Sequence, residues 1–209
     1  MKTRSLLLLI TPPFIALAWL LLAGDPSTPA RTAPADDSKP PARKPDVVYV
    51  PTPQFIVDKM LEMAEVKKGD VVYDLGCGDG RIVVTAAKKY GVKAVGFDIN
   101  PERVRESIAN VRSNKVEHLV TIKEADIFTL DLTEASVVAL YLLPSLNVKL
   151  MPQLAKLKPG SRIVSHDFDM AGAKPVEVYR TSADPDGWDG SEHRIYKWVV
   201  PWEKDPATR

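Results

Sequence analysis

The residues from Asp74 to Arg81 (DLGCGDGR) place glycines at 76, 78 and 80, with an acid two positions ahead of the first. They follow a short apolar run, Val71-Val72-Tyr73, and precede a helical pattern, the context in which a glycine loop becomes a ligand site. Glycine lacks a Cβ, so the backbone can turn sharply and a ligand can lie against it. The amino terminus of the following helix offers unpaired N–H groups suited to a carboxylate or phosphate. Asp74 can attract a cationic group. Asp98 stands 22 positions after Gly76 at the end of a second apolar run, where a carboxylate can accept both hydroxyls of a ribose. Asp126 follows a third run, in Glu124-Ala125-Asp126-Ile127-Phe128, and is placed to meet an adenine amino group.

A dinucleotide fingerprint requires G-x-G-x-x-G, which would put its third glycine at Arg81; here the glycine comes one place early, at Gly80. The G-x-G-x-G spacing behind an acid is the pattern of S-adenosylmethionine sites. The candidate cofactor residues are therefore Asp74, Gly76, Gly78, Gly80, Asp98 with Ile99, and Asp126 with Ile127. Each has a plain structural counterpart: a turn, a helix cap ahead of Pro101, a solvated loop acid. Strand, loop, helix and acids in this order are hard to obtain by chance.

The elements that must position these groups alternate. Phe55–Val66 has helical spacing, Val71–Leu75 reads as a buried strand, and Arg81–Tyr90 as a helix. Lys93–Asp98 is a second strand, and Pro101 opens a helix at a position proline tolerates. Val120–Glu124, Ser136–Leu143 and Arg162–His166 are further strands, with a helix over Ser145–Leu157. Two last runs, Val176–Arg180 and His193–Val200, flank the turn-rich Asp184-Pro185-Asp186-Gly187. Alternation predicts an α/β fold, a mostly parallel sheet with helices on both faces. The final pair of strands adds an antiparallel edge.

With 209 residues, the chain has room for one such domain plus a tail. A net charge of +1 argues against a protein that grips nucleic acid through many phosphates, and no nucleic-acid partner is expected. The single cysteine, Cys77, excludes an internal disulfide. Residues 1–24 hold an uncharged, leucine-rich stretch after Lys2 and Arg4, long enough to span a bilayer. No clean cleavage site follows it. The expectation is membrane attachment through residues 5–24 in a bacterial-type envelope, on an unassigned side, with export after signal cleavage as the alternative. Residues 25–45, with six prolines, read as a semi-extended linker, and 46–209 as the folded domain.

DLGCGDGR, GFDINPE and EADIF resemble the cofactor motifs of class I methyltransferases. That resemblance implies a Rossmann-like seven-stranded sheet and S-adenosylmethionine as cofactor. Tyr49-Val50-Pro51-Thr52-Pro53, LYLLPS and RIVSHDFDM extend it. Over Val48 to Met170 the chain is similar to the small protein-lysine methyltransferases that include the mitochondrial enzymes acting on the ATP synthase c subunit and the adenine nucleotide carrier. By position, Tyr49, Pro51 and Thr52 would then close over the cofactor, and Tyr141, Leu143 and Pro144 would line the methyl-transfer site. Animal members usually carry glutamate at the position of Asp98; the shorter carboxylate still reaches a ribose.

Methyl transfer from a sulfonium is an in-line displacement, so the enzyme mainly positions the nucleophile and excludes water. A lysine must be neutral when it attacks, through desolvation or loss of a proton to water or an acceptor. Tyr141 is a candidate pocket wall and hydrogen-bond partner, and His166, beside Asp167, lies where ligands gather in open α/β sheets. Both have structural alternatives in the core. His118, His166 and His193 are scattered without metal-ligand spacing, so no metal is expected. Trp188, Trp198 and Trp202 read as an edge-strand packing group, or else as a substrate or membrane-surface face. The leading function is methylation of a protein lysine, with a membrane protein among the candidate substrates. A small-molecule or lipid methyltransferase and a non-catalytic cofactor-binding assembly protein are the alternatives. Nucleic-acid amino methylation is disfavoured because LLPS stands where [DNS]-P-P-[YF] is often used.

Overall fold

The computed structural model describes residues 44–182 and 192–205. The described residues fall in one compact unit, Pro40–Arg209. Helix α1 (Gln54–Met63) precedes β1 (Val71–Leu75), α2 (Arg81–Tyr90), β2 (Lys93–Asp98), α3 (Pro101–Ser113) and β3 (Val120–Glu124). A single 3₁₀ turn, Ile127–Thr129, leads to β4 (Val137–Leu140), α4 (Pro144–Leu154) and β5 (Arg162–His166). The chain finishes with β6 (Ala173–Lys174), β7 (Glu177–Thr181), β8 (His193–Val199) and β9 (Glu203–Lys204).

Seven strands form one sheet in the order β3-β2-β1-β4-β5-β8-β7. The first five pair in parallel, with Leu75 registered against both Phe97 and Leu140. β8 runs antiparallel between β5 and β7, so β7 and not β8 forms the edge. The expected mostly parallel sheet with an antiparallel edge is the observed one. β6 and β9 make a separate two-residue ladder that no sequence signal announced.

The central strand β4 is buried at all four positions, as a parallel strand covered on both faces must be. Its side chains alternate between two cores. Val137 and Ala139 pack with α1 and α2, whereas Val138 and Leu140 pack with Leu150 and Leu154 of α4. β4 ends at Leu140, three residues short of expectation, because Pro144 opens α4 and Leu143 must serve as its N-cap. Pro101 opens α3 as expected, and the cap is Asn100, whose side chain accepts the Glu102 N–H at 2.9 Å. Trp198 is fully buried and donates its indole N–H to the Ala173 carbonyl at 2.9 Å. Trp202 packs partly buried against the same core. Trp198 and Trp202 thus hold β8 and β6 together, and Trp188 lies outside the described residues.

Strand order reverses at β1, which has β2 on one side and β4 on the other. In open α/β sheets the crevice beyond the carboxyl ends of such strands collects the ligand. At the opposite end, Asp70 ties three strands. It accepts from the Arg162 guanidinium at 2.6 Å, the Ser136 hydroxyl at 2.7 Å and the Lys67 N–H at 2.8 Å. Burial pushes the Asp70 carboxyl up, but Arg162, Lys67 and Ser136 outweigh it and hold it below the ordinary range. The sign follows: a depressed carboxyl stabilises the fold above its unfolded value near 4 and loses that contribution as pH falls through the folded value. Asp70→Asn strands the Arg162 charge, which is 14% exposed. It is expected to cost about 2–4 kcal/mol in urea unfolding at pH 7, with the difference from wild type shrinking below about pH 4.

The four α-helices among the described residues have 10, 10, 13 and 11 residues. At 1.5 Å per residue they reach about 15–20 Å, against a hydrocarbon core of about 30 Å. No described helix is long and apolar enough to cross a membrane. This overturns the expected membrane attachment. Residues 5–24, on which that expectation rested, lie outside the described residues.

Candidate active site

The glycine loop joins β1 to α2 with Gly76, Gly78 and Gly80 at φ +85°, +54° and +77°. At Gly80 a side chain would collide with Ser107 of α3, with Cβ atoms 2.8 Å apart, so the missing methyl lets α2 and α3 close up. At Gly78 it would enter the ring of Tyr49. The loop's own N–H groups are largely spent internally. Gly76 and Cys77 both donate to the Phe97 carbonyl, at 2.8 and 2.9 Å, and Gly80 donates to the Cys77 carbonyl at 2.8 Å. Gly78 donates to Asp98 Oδ2 at 2.9 Å. The amides expected to face an anion are those at the start of α2, where the Arg81 N–H already donates to Asp79 Oδ1 at 3.2 Å. What faces the cleft is shape and carboxylate. Cys77 is buried, its sulfur filling the space that a side chain on Gly96 would need. Burial pushes its thiol well up, and the charges of Asp74 and Asp98 add to the effect.

Asp74, at the carboxyl end of β1, is 2% exposed, and its Oδ2 has no hydrogen-bond partner. Burial raises its carboxyl to about 8, helped by the charges of Asp98 and Asp79. Such an atom, in a cleft lined also by Asp79, Asp98 and Asp126, calls for a cationic donor. Asp98 accepts from Gly78 and Asn100, one bond to each oxygen, and does not cap the helix. Each oxygen keeps a lone pair for a hydroxyl. Asp126 caps the 3₁₀ turn by accepting the Phe128 N–H at 3.0 Å. Ile99, Ala125 and Ile127 give the cleft apolar walls between these acids. Counted out to its mouth, the cleft measures about 930 Å³.

The segment from Pro45 to Thr52 crosses the cleft as a strap. Tyr49 lies on Gly78, with the Arg103 guanidinium 4.8 Å from its ring centre. Burial raises the Tyr49 hydroxyl to about 12, with the Asp79 charge adding to it. Arg81 latches the strap through Nη1 to the Thr52 carbonyl at 2.7 Å, while its other nitrogens grip Asp79. Tyr49, Pro51 and Thr52 all line the cleft.

Tyr141 and Leu142, after β4, line the far wall with Leu146 of α4. Leu143 and Pro144, expected there too, point outward and do not line it, because they cap and open α4. His166 is not on the wall either. It is completely buried behind Tyr141, ring centres 4.1 Å apart, and meets Thr52 Oγ1 through Nδ1 at 3.3 Å. In this arrangement it packs against Tyr141 and Thr52. Asn147, buried on α4, donates to the Phe168 and Asp169 carbonyls at 3.3 and 3.1 Å and fixes the loop after β5.

The expectation of three scattered histidines is corrected. His193 comes to 3.1 Å from His166, and Asp167 lies beside both; His118 stays apart, exposed on a turn. A separation of 27 residues conceals this cluster from any local spacing rule. The pairing of β5 with β8 creates it.

A family model described as the ANTKMT methyltransferase domain matches residues 74–177. A protein-lysine N-methyltransferase from Saccharolobus islandicus is 48% identical over 159 residues, covering 75% of this chain and 95% of that one. The adenine nucleotide translocase lysine N-methyltransferase of Mus musculus is 31% identical, over 66% of this chain and 60% of its own length. Among solved structures, an RNA methyltransferase from Salinibacter ruber in complex with S-adenosyl-L-homocysteine superposes with a TM-score of 0.67. It is 43% identical, over 77% of this chain and 99% of that one.

Proposed function

The chain belongs to the family of ANTKMT methyltransferase domains, and on that premise we propose that the group it methylates is a lysine side chain of a protein. It is an S-adenosylmethionine-dependent methyltransferase. When bound, the cofactor supplies an electrophilic methyl on a sulfonium. The unpaired Oδ2 of Asp74 fits the ammonium of that ligand, and Asp98 fits its ribose hydroxyls. Asp126, Ile99 and Ile127 flank the base, and the Tyr49–Thr52 strap excludes water over it.

The observation that carries the lysine reading is the wall formed by Tyr141, Leu142 and Leu146. An ammonium entering beside two leucines loses solvation, which lowers its pKa and favours the neutral amine. Tyr141 supplies one hydroxyl there, and its ring is braced by His166 and by Phe168 at 6.0 Å. The name of the Saccharolobus relative supports the same substrate class. A nucleobase is the second reading, favoured by the name of the Salinibacter relative. Against it stands LLPS at Leu142–Ser145, where amino methylation of nucleobases often uses [DNS]-P-P-[YF].

The two separate in one experiment. The full chain is incubated with methyl-labelled S-adenosylmethionine and a cell extract divided into protein and RNA. Label in protein that hydrolyses to methyl-lysine is the expected result. Label confined to RNA overturns the lysine reading and establishes the other.

A further inference from the structure

The register of β5 and β8 sets His166 opposite Ile195, so His193, two residues before Ile195, projects from the same face of the sheet. Asp167 follows His166 directly, and its backbone is bonded to Arg194 through the Asp167 N–H at 2.7 Å. Three potential ligand atoms meet here. His166 Nε2 is 3.1 Å from His193 Nδ1 and 3.2 Å from Asp167 Oδ2, and the latter two are 3.3 Å apart. They form a nearly equilateral triangle.

We propose that His166, Asp167 and His193 bind a divalent first-row cation, with zinc as the reference ion. Ligand atoms about 2.1 Å from a metal lie roughly 3.0 Å apart at octahedral corners and about 3.4 Å apart at tetrahedral ones. All three edges fall in that interval. The rings point the same way. Their centres are 5.0 Å apart, whereas a straight N–H···N bond of this length would separate them by about 5.4 Å. The nitrogen axes are therefore bent off the line that joins them.

Hydrogen bonding alone fits this triangle poorly. Protons on both facing nitrogens would confront each other, and a single proton serves one edge well and neglects the others. A cation satisfies three lone pairs at once. Two of the three ligands have the outer contacts of a held set. Thr52 Oγ1 meets the far nitrogen of His166 at 3.3 Å, and the second oxygen of Asp167 accepts the Arg194 N–H at 2.8 Å. Asp167 keeps a φ of +58°, which side chains with a Cβ rarely adopt and which persists where contacts fix it. Both imidazoles are buried, while the Asp167 side chain is 24% exposed and gives the ion a way in.

Two imidazoles and one carboxylate are borderline donors suited to zinc and its neighbours and too few oxygens for calcium. The site lies behind Tyr141, and none of its three residues lines the cleft. Its work is to fasten the ends of β5 and β8, and with them the residues that brace Tyr141 and Thr52.

The test uses the full chain, stripped with a chelator and titrated with zinc by calorimetry. One equivalent binding at micromolar strength or tighter is expected. Asp167→Asn and His193→Ala are expected to weaken it by about 100-fold while S-adenosylmethionine binding is kept, and His118→Ala to change nothing. Cobalt(II) added to unaltered protein is expected to give the intense visible bands of a four- or five-coordinate site. A protein that binds S-adenosylmethionine but takes up no zinc overturns the proposal, as does uptake unchanged in Asp167→Asn. Should His193→Ala fail to fold, the cobalt spectrum decides: bands of the free aqueous ion overturn the site. None of these outcomes touches the lysine assignment.

Discussion

Asp74→Asn is expected to make the empty protein more stable and, in the same molecule, to weaken S-adenosylmethionine binding by about 100-fold or more. Both effects come from one buried oxygen without a partner. The carboxyl is raised to about 8, chiefly by burial, so folding forces it to stay protonated near neutrality or to ionise in place. A group raised in the folded state contributes its stability below its unfolded value near 4 and loses it as pH rises through the folded one. The empty wild type is therefore progressively penalised between about pH 4 and pH 8, and asparagine removes the penalty. A rise of at least several degrees in melting temperature at pH 8, vanishing below about pH 4, is the expected result. Binding of an ammonium reverses the balance, since the cation favours the ionised carboxylate. Close to one proton should leave the wild-type protein per cofactor bound at pH 7, measured by calorimetry in buffers of different ionisation enthalpy. The asparagine variant should release almost none. Unchanged proton release in Asp74→Asn would show that some other group meets the ammonium.

Asp98→Ala should cost about 100- to 1,000-fold in cofactor affinity, the larger of the two binding losses. Its oxygens hold the N–H groups of Gly78 and Asn100, each at 2.9 Å, and so join the glycine loop to the end of β2. Alanine leaves both amides without that acceptor and removes the acceptors offered to the ribose. It also withdraws the charge that is the second cause of the high Asp74 value. Proton release on any residual binding should therefore fall as well. Asp98→Glu is expected to stay within about tenfold of wild type, because the longer carboxylate can still reach the hydroxyls. Titration of the three proteins decides it, and an alanine variant that binds like wild type would remove Asp98 from the cofactor site.

The parts legible in the sequence were those with a local physical cause. β1, β2, β3, β5 and α2 begin and end where apolar runs meet glycines, prolines and charges, and the structure places them at the expected residues. The candidate acids Asp74, Asp98 and Asp126 meet in one cleft because each stands at or just beyond the carboxyl end of a parallel strand. β4 was read too long, because the cap of the following helix and not hydrophobicity ends it. The family resemblance places Leu143 and Pro144 at the methyl-transfer site, whereas in the structure they cap and open α4. The cluster of His166, Asp167 and His193 depends on an antiparallel register between segments far apart in sequence, which no periodicity reports. Phe97 takes two of the loop's amides, a contact visible only once β2 lies beside β1.

Cys77 gives the molecule an internal clock. It is the chain's single sulfhydryl and sits within the glycine loop of the proposed cofactor site, packed against the bare backbone of Gly96. A thiol reagent is expected to react slowly while β1, β2 and the loop stay together, because the residue is only 5% exposed. Each sulfur modified marks one molecule whose loop had parted from β2, so the labelling rate counts openings that leave every other spectroscopic signal unchanged. Cofactor that holds the loop through Asp98 should slow the clock in proportion to its occupancy, and the native protein needs no added probe to read it.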